Sequence, residues 1–344
     1  MSKKTLPRFK FWLNVVAFLA VAVVLFLARR DILVAVEKLR HLNLWVLALM
    51  LPMQGLAFYA VSRVLGHYFT VTGGKLSQRV LFKAVVELNF VNHIFPSGGV
   101  SGFSYLTLRL KQYGISSAKS TLAHLMRFML AFVSFIILLL VAVIMLAIEN
   151  KANGVIIFLA TTLTLSILFG TLVLVYVIGS INRIKQFAHA ISRAVNWVLH
   201  VFRRAHPESI NLKRVEKTFE ELHTDYLLLR KDVHKMWPAL GWALAANVFE
   251  VATVYVAFVA HGAWINPGAV IIAYALATIT GLVAIFPGGL GVYEPVMVAT
   301  LIAAGVSGPL ALSATLVSRV VTLTIALITG YLFYHKALRN YDDR

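Results

Sequence analysis

Cysteine is absent from the 344 residues, which excludes disulfides and thiolate metal sites. Acidic residues are scarce: 14 Asp and Glu stand against 32 Lys and Arg, for a formal net charge of +18. Charge of either sign is thin at 13%, while 60% of residues are hydrophobic and the mean hydropathy is +0.82. A soluble domain could not clothe its surface with so little polarity. Enzyme signatures are missing too. Gly289-x-Gly291 has no strand before it, and Gly73-Gly74-Lys75-Leu76-Ser77 lacks the spacing of a nucleotide-binding loop. There is no His-Glu-x-x-His, and the eleven histidines form no metal-ligand spacing. The expectation is a chain that is not an enzyme, carries no cofactor or metal, and holds no coupled ATPase.

Long apolar runs are what the sequence has. About 20 apolar helical residues cross the hydrocarbon core of a bilayer, and residues 11–28, 44–66, 121–148, 155–180, 237–260 and 311–334 meet that length. Two further apolar stretches, 80–112 and 268–304, are each broken near the middle by a Pro-Gly sequence. The class is an all-α polytopic membrane protein. The first run follows Lys3, Lys4, Arg8 and Lys10 but precedes Arg29-Arg30 rather than a small-residue cleavage site, so it reads as a retained anchor.

The placement of basic residues gives an orientation and argues against nucleic acid as a partner. Eleven Lys and Arg fall in 181–236, whereas 149–154 and 261–267 contribute only Lys151. That asymmetry puts 181–236 in the cytoplasm. Counting spans from there places 113–120, with Lys119, and both termini inside. It places 29–43 outside despite Arg29, Arg30, Lys38 and Arg40, which Asp31 and Glu37 partly offset. Within 181–236, apolar residues from Ile184 to Phe202 recur at helical spacing among arginines and lysines, as in a helix lying in the headgroup region. The series Leu212, Val215, Phe219, Leu222, Tyr226, Leu229, Val233, Met236 suits a helix packing along a partner. The segment is either a basic platform for anionic headgroups or a connector made basic to fix topology.

The chain also repeats itself. FPSGG at 95–99 and FPGGL at 286–290 are offset by 191 residues, and the same offset pairs Gly114-Ile115-Ser116 with Gly305-Val306-Ser307. Arg127 and Arg319 fall within one residue of that register, each inside the membrane helix that follows. Three spanning helices separate the two broken stretches, and an odd number inverts the second copy relative to the first. The arms are short; 13 residues span roughly 20 Å of helix. The pattern predicts inverted-topology repeats with two re-entrant helical hairpins, turning at Pro96, Gly98 and Gly99 and at Pro287, Gly288, Gly289 and Gly291. Proline and glycine let the chain turn at that depth, where irregular backbone is tolerated only beside protein or a water-filled cavity. Inverted repeats with broken helices are a transporter arrangement.

Charges near these turns are the candidate site. Lys83, Glu87, Arg127, Glu250, Glu294 and Arg319 sit in apolar surroundings and are expected to face the interior. Arg127 and Arg319 are the candidates for headgroup phosphate, because guanidinium binds phosphate through two parallel hydrogen bonds. Glu87 and Glu294 balance them, bind a cationic headgroup or carry a proton. Asn89, Asn92 and His93 lead into the first turn, and Tyr293 follows the second. Buried ion pairing between the repeats, with no ligand, is the competing reading.

PGGLGVYE, followed by Gly305-Val306, Ala311 and Arg319, resembles the signature of the lysylphosphatidylglycerol synthase transmembrane-region family of flippase-like inner-membrane proteins. The first break, Ser97-Gly98-Gly99-Val100-Ser101-Gly102, departs from the acidic-then-arginine pair associated with some members. The resemblance implies translocation of a lipid or lipid-linked sugar between leaflets, and the repeat with its intramembrane charges leads to the expectation of alternating access. In fused members aminoacyl transfer resides in an additional soluble domain, for which these 344 residues leave no room. The organisation expected is 1–70, N-terminal membrane helices; 71–180, first repeat; 181–236, cytoplasmic basic helices; and 237–344, second repeat. Partners would be membrane lipids with an anionic headgroup and a lipid-biosynthetic enzyme; the oligomeric state is left open. A membrane-embedded transferase acting on lipid phosphates and a non-transporting scaffold are the alternatives.

Overall fold

The structure is a computed structural model; it describes residues 42–74, 76–94, 100–180, 233–283 and 289–342, with positions 26, 29, 182, 183, 186, 223, 224, 226, 227 and 231 besides. The expected span 11–28, nearly all of 181–232, and the turn residues Pro96, Gly98, Gly99, Pro287 and Gly288 lie outside the described residues. The described chain is helical throughout: α1 (Leu44–Leu47), α2 (Met50–Val71), α3 (Gln78–Ile94), α4 (Val100–Lys111), α5 (Ser117–Ile148), α6 (Gly154–Ile178), α7 (Trp237–Ala260), α8 (Pro267–Val283), α9 (Tyr293–Ala303) and α10 (Gly308–Asp342).

Helix ends fall where side chains satisfy the free backbone groups. Asn43 accepts from Trp45 N and Val46 N to start α1. Ser116 accepts from Lys119 N to start α5, and Asn153 accepts from Ile156 N to start α6; such oxygens at a helix start take up donors that have no carbonyl partner. Pro238 and Pro267 stand in the first turns of α7 and α8, where a missing N–H costs nothing. Five of the described helices are long and apolar enough to cross a membrane: Leu44–Val71, Ser117–Ile148, Gly154–Ile178, His234–Ala260 and Gly308–Phe333. The protein is therefore a multi-pass membrane helical bundle. By contrast, α3 and α8 have 17 residues each, α4 has 12 and α9 has 11, so none spans about 30 Å of hydrocarbon at 1.5 Å per residue.

Cross-links identify which helix ends lie together. Asn43 N donates to Ala260 O at 3.2 Å, Asn266 Nδ2 to Met145 O at 2.9 Å, and Asn153 Nδ2 to Ala303 O at 2.7 Å. The start of α8 and the end of α9 thus share one end of the bundle with the last turns of α5 and α7. At the other end Lys119 Nζ donates to Thr72 O at 2.6 Å, which brings together the end of α2, the start of α3, the end of α4 and the start of α5. Trp45 and Trp264 are exposed at the first end and Trp237 at the second, as tryptophans are at the two faces of a bilayer.

Two turns of the bundle, and the helix contacts around them, are built alike. The Gly114 N–H donates to Lys111 O and Ile115 N–H to Leu110 O; Gly305 N–H donates to Ile302 O and Val306 N–H to Leu301 O. Every member of the second set lies 191 residues after its counterpart in the first. Gly114 at φ 76° and Gly305 at φ 87° take the left-handed backbone that ends a helix tightly. Helix packing repeats in the same way: α3 lies on α10 as α8 lies on α5, α4 on α5 as α9 on α10, and α2 and α7 pack on each other. One apolar cluster joins residues of α5 to α10, a second joins α2 to α5 and α7, and polar residues stand between them.

Candidate functional site

Seven helices leave a cavity of about 300 Å³ inside the bundle, lined from α2, α3, α5, α7, α8, α9 and α10. Its floor and walls are apolar at Phe58, Phe128, Phe132, Phe135 and Val254, and polar at Gln54, Asn89, Asn92, His93, Arg127, Asn247, Glu250, Tyr274, Thr278, Tyr293, Ser318, Arg319 and Thr322. Small volume and a few convergent polar groups in an apolar shell are properties of ligand sites.

The two arginines of the repeat meet there under different circumstances. Arg319 is buried; its Nε donates to Glu294 Oε1 at 2.9 Å and its guanidinium lies 4.6 Å from the Tyr293 ring centre. Glu294 Oε2 accepts from the Gly291 N–H at 2.8 Å, so one carboxylate caps the start of α9 and holds α10 beside it. Gly289, at φ 72°, comes so close to Gly281 that a Cβ there would stand 2.9 Å from its Cα; only glycine fits that approach. Arg127 lies 4.9 Å from the Phe128 ring centre and has no hydrogen-bond or ion-pair partner among the described residues. Its donors are therefore available to whatever fills the cavity.

Glu250 supplies the negative charge in the wall. Gln54 Nε2 donates to its Oε1 at 3.0 Å and the Tyr274 hydroxyl to its Oε2 at 3.4 Å. His93 Nδ1 donates to Asn89 O at 2.8 Å, which leaves Nε2 as the other ring nitrogen of a cavity-lining residue. Asn247 Nδ2 bonds Ala131 O at 2.9 Å and also Ser134 Oγ. The buried oxygens Gln54 Oε1 and Asn92 Oδ1 have no hydrogen-bond partner among the described residues, and such groups call for a ligand or water.

Of the residues singled out in the sequence, Asn89, Asn92, His93, Arg127, Glu250, Tyr293 and Arg319 line this cavity together, as does Gly289. Glu294 reaches it through Arg319. Glu87 and Lys83 do not line it. Glu87 instead accepts from Arg109 Nε at 2.7 Å and from the Tyr105 hydroxyl at 2.8 Å, tying α3 to α4, while Arg109 Nη1 donates to Gln112 Oε1 at 3.0 Å. The expectation that Lys83 faces the interior is corrected: it is exposed on α3, where four methylenes let an ammonium reach the water interface. Sequence reading passed over Arg109, whose signal was an arginine inside an apolar arm, obscured by Lys111 beside it. It also passed over Gln54, Asn247 and Tyr274, which carry no charge and so stand out from their helices only once α2, α7 and α8 are packed around one space.

A family profile described as lysylphosphatidylglycerol synthase TM region matches residues 12–330. Two curated proteins of Methanothermobacter thermautotrophicus, both described as UPF0104 membrane protein, are similar in part. One is 25% identical over 140 residues, covering 40% of this chain and 41% of the relative. The other is 29% identical over 153 residues, covering 40% and 46%. The matched stretch thus spans less than half of either relative's length.

Proposed function

The chain belongs to the lysylphosphatidylglycerol synthase TM region family, and from that premise we propose that it is a lipid translocase of a prokaryotic inner membrane rather than an enzyme. It moves a phospholipid or a polyprenyl-type lipid between leaflets by alternating access, with both termini cytoplasmic. The headgroup enters the cavity while the acyl chains remain in the bilayer. The observation that carries this reading is one cavity lined by both Arg127 and Arg319, with the Arg127 donors unclaimed among the described residues. A guanidinium so placed favours a phosphate-bearing headgroup.

The architecture read here is a pair of inverted repeats, α2 to α5 and α7 to α10, each with a re-entrant hairpin. Supporting it are the shortness of α3, α4, α8 and α9, the opposite bundle ends at which the two hairpins begin and finish, and the matched packing of α3 on α10 and α8 on α5. Two equivalent halves around one site can exchange roles when the cavity opens to one face and then the other. The basic segment 181–236 would gather anionic lipid at the cytoplasmic leaflet, and a lipid-biosynthetic enzyme would supply the cargo.

Purified protein in liposomes should accelerate leaflet exchange of a labelled anionic phospholipid over empty liposomes, and Arg319→Ala should slow it. Exchange no faster than in empty liposomes, from protein that remains folded, would refute the assignment.

A further inference from the structure

The face of α5 that leads from the α4–α5 turn to the cavity is polar. Ser116, Ser120, His124 and Arg127 follow one another by four, four and three residues, so they lie above one another along the helix. Arg127 and Phe128 reach the cavity wall. Ser120 and His124 do not; both are wholly buried, and Ser120 Oγ and both ring nitrogens of His124 have no hydrogen-bond partner among the described residues. Three orphaned polar atoms on adjacent turns of a membrane helix are not what a permanently closed seam would hold.

A group of rings packs against His124. Phe103 of α4 stands 4.2 Å from the His124 ring centre and Phe128 stands 4.9 Å from it, both edge-on, and Phe103 and Phe128 are 6.1 Å apart. Phe128 links this cluster to the cavity, whose wall it also lines. Phe103 belongs to α4, which has only 12 residues, whereas Phe128 is fixed within the 32-residue α5. Movement of α4 away from α5 would let water reach all three orphaned atoms and join them to the cavity.

We propose that the seam between α4 and α5 is the route by which a phosphate-bearing headgroup reaches Arg127 from the α4–α5 turn, with Phe103 as its gate and Ser120 and His124 as its polar lining. The headgroup chemistry rests on the translocase reading; the existence of a hydrated route does not. The chain lacks cysteine, so single cysteines can be read without background. Ser120→Cys and His124→Cys, in sealed vesicles, should react with a small membrane-impermeant methanethiosulfonate added on the side of the α4–α5 turn several-fold faster than Leu122→Cys, which is buried in the apolar cluster. Phe103→Ala in the Ser120→Cys protein should raise the rate several-fold further. Phe103→Leu, a milder change, serves where the alanine variant is not monodisperse. Equal slow labelling at 120, 124 and 122 in folded protein overturns the route, as does a rate at 120 insensitive to both Phe103 variants. Leaflet exchange is measured separately. Exchange with an unreactive seam removes the route alone, whereas a reactive seam without exchange removes the translocase reading and leaves a water-filled route.

Discussion

Gln54 on α2 donates a hydrogen bond to Glu250 on α7 across 3.0 Å, although 196 residues separate them. The bond joins α2 to α7 in the wall of the cavity. With the Tyr274 hydroxyl on the other oxygen, the Glu250 carboxylate is fixed in the space that Arg127 serves. On the translocase proposal its negative charge, when ionised, limits how tightly an anion is held, as release on the far side of a membrane would require.

Glu250→Gln removes that charge and keeps the shape. A labelled anionic phospholipid in detergent should then bind roughly tenfold more tightly, the effect of about 1.4 kcal/mol of repulsion between charges about 12 Å apart at an effective dielectric of about 20. Leaflet exchange should slow at the same time, because release becomes limiting. Weaker binding by this variant would contradict the role given to Glu250.

Glu294→Ala leaves the Arg319 guanidinium buried without its carboxylate and the Gly291 N–H without its acceptor. Loss of one partner from a buried ion pair costs about 3–5 kcal/mol, so thermal unfolding in detergent should fall well below wild type. Glu294→Gln still accepts from Gly291 and should fall between the two. Equal melting of all three proteins would mean that the bridge holds nothing together.

Glu87 separates stability from binding. It pairs with Arg109 inside one hairpin and away from the cavity, so Glu87→Gln should lower the unfolding temperature while the affinity for labelled lipid, per folded molecule, stays at the wild-type value. A large loss of affinity in folded protein would return Glu87 to the ligand site.

The apolar runs made the spanning helices legible in the sequence, because in lipid each must satisfy its own backbone and so be long, continuous and apolar. The Gly-x-Ser turns were legible too, since glycine's left-handed backbone and serine's capping oxygen are requirements of residue type. Clustering of Arg127, Arg319, Glu250, Asn89, Asn92 and His93 followed from the cost of exposing such groups to hydrocarbon. Which carboxylate meets which arginine was not legible: Glu87 chose Arg109 and Glu294 chose Arg319 through helix rotation and hairpin geometry, which no local pattern encodes. Lys83 differed for a related reason, since a long aliphatic stem reconciles an apolar neighbourhood with an exposed charge.

Gly330 on α10 records how closely the halves approach. A Cβ there would collide with Cβ of Phe90 on α3, so Gly330→Ala should destabilise the protein by about 1–3 kcal/mol through overpacking. Phe90→Gly, which removes that Cβ, should in the same chain restore part of that loss, although each change alone destabilises. Thermal unfolding of the two single variants and the double variant tests this; additive losses would place the two helices farther apart.

The central claim is that the cavity holds a lipid headgroup at Arg127. Native mass spectrometry of gently extracted protein tests it most directly. The account predicts a phosphate-bearing lipid retained by the wild type, lost from Arg127→Ala and partly kept by Arg127→Lys. Retention of the same lipid by folded Arg127→Ala as by the wild type, or wild-type protein that carries none in a membrane extract rich in anionic lipid, would contradict it.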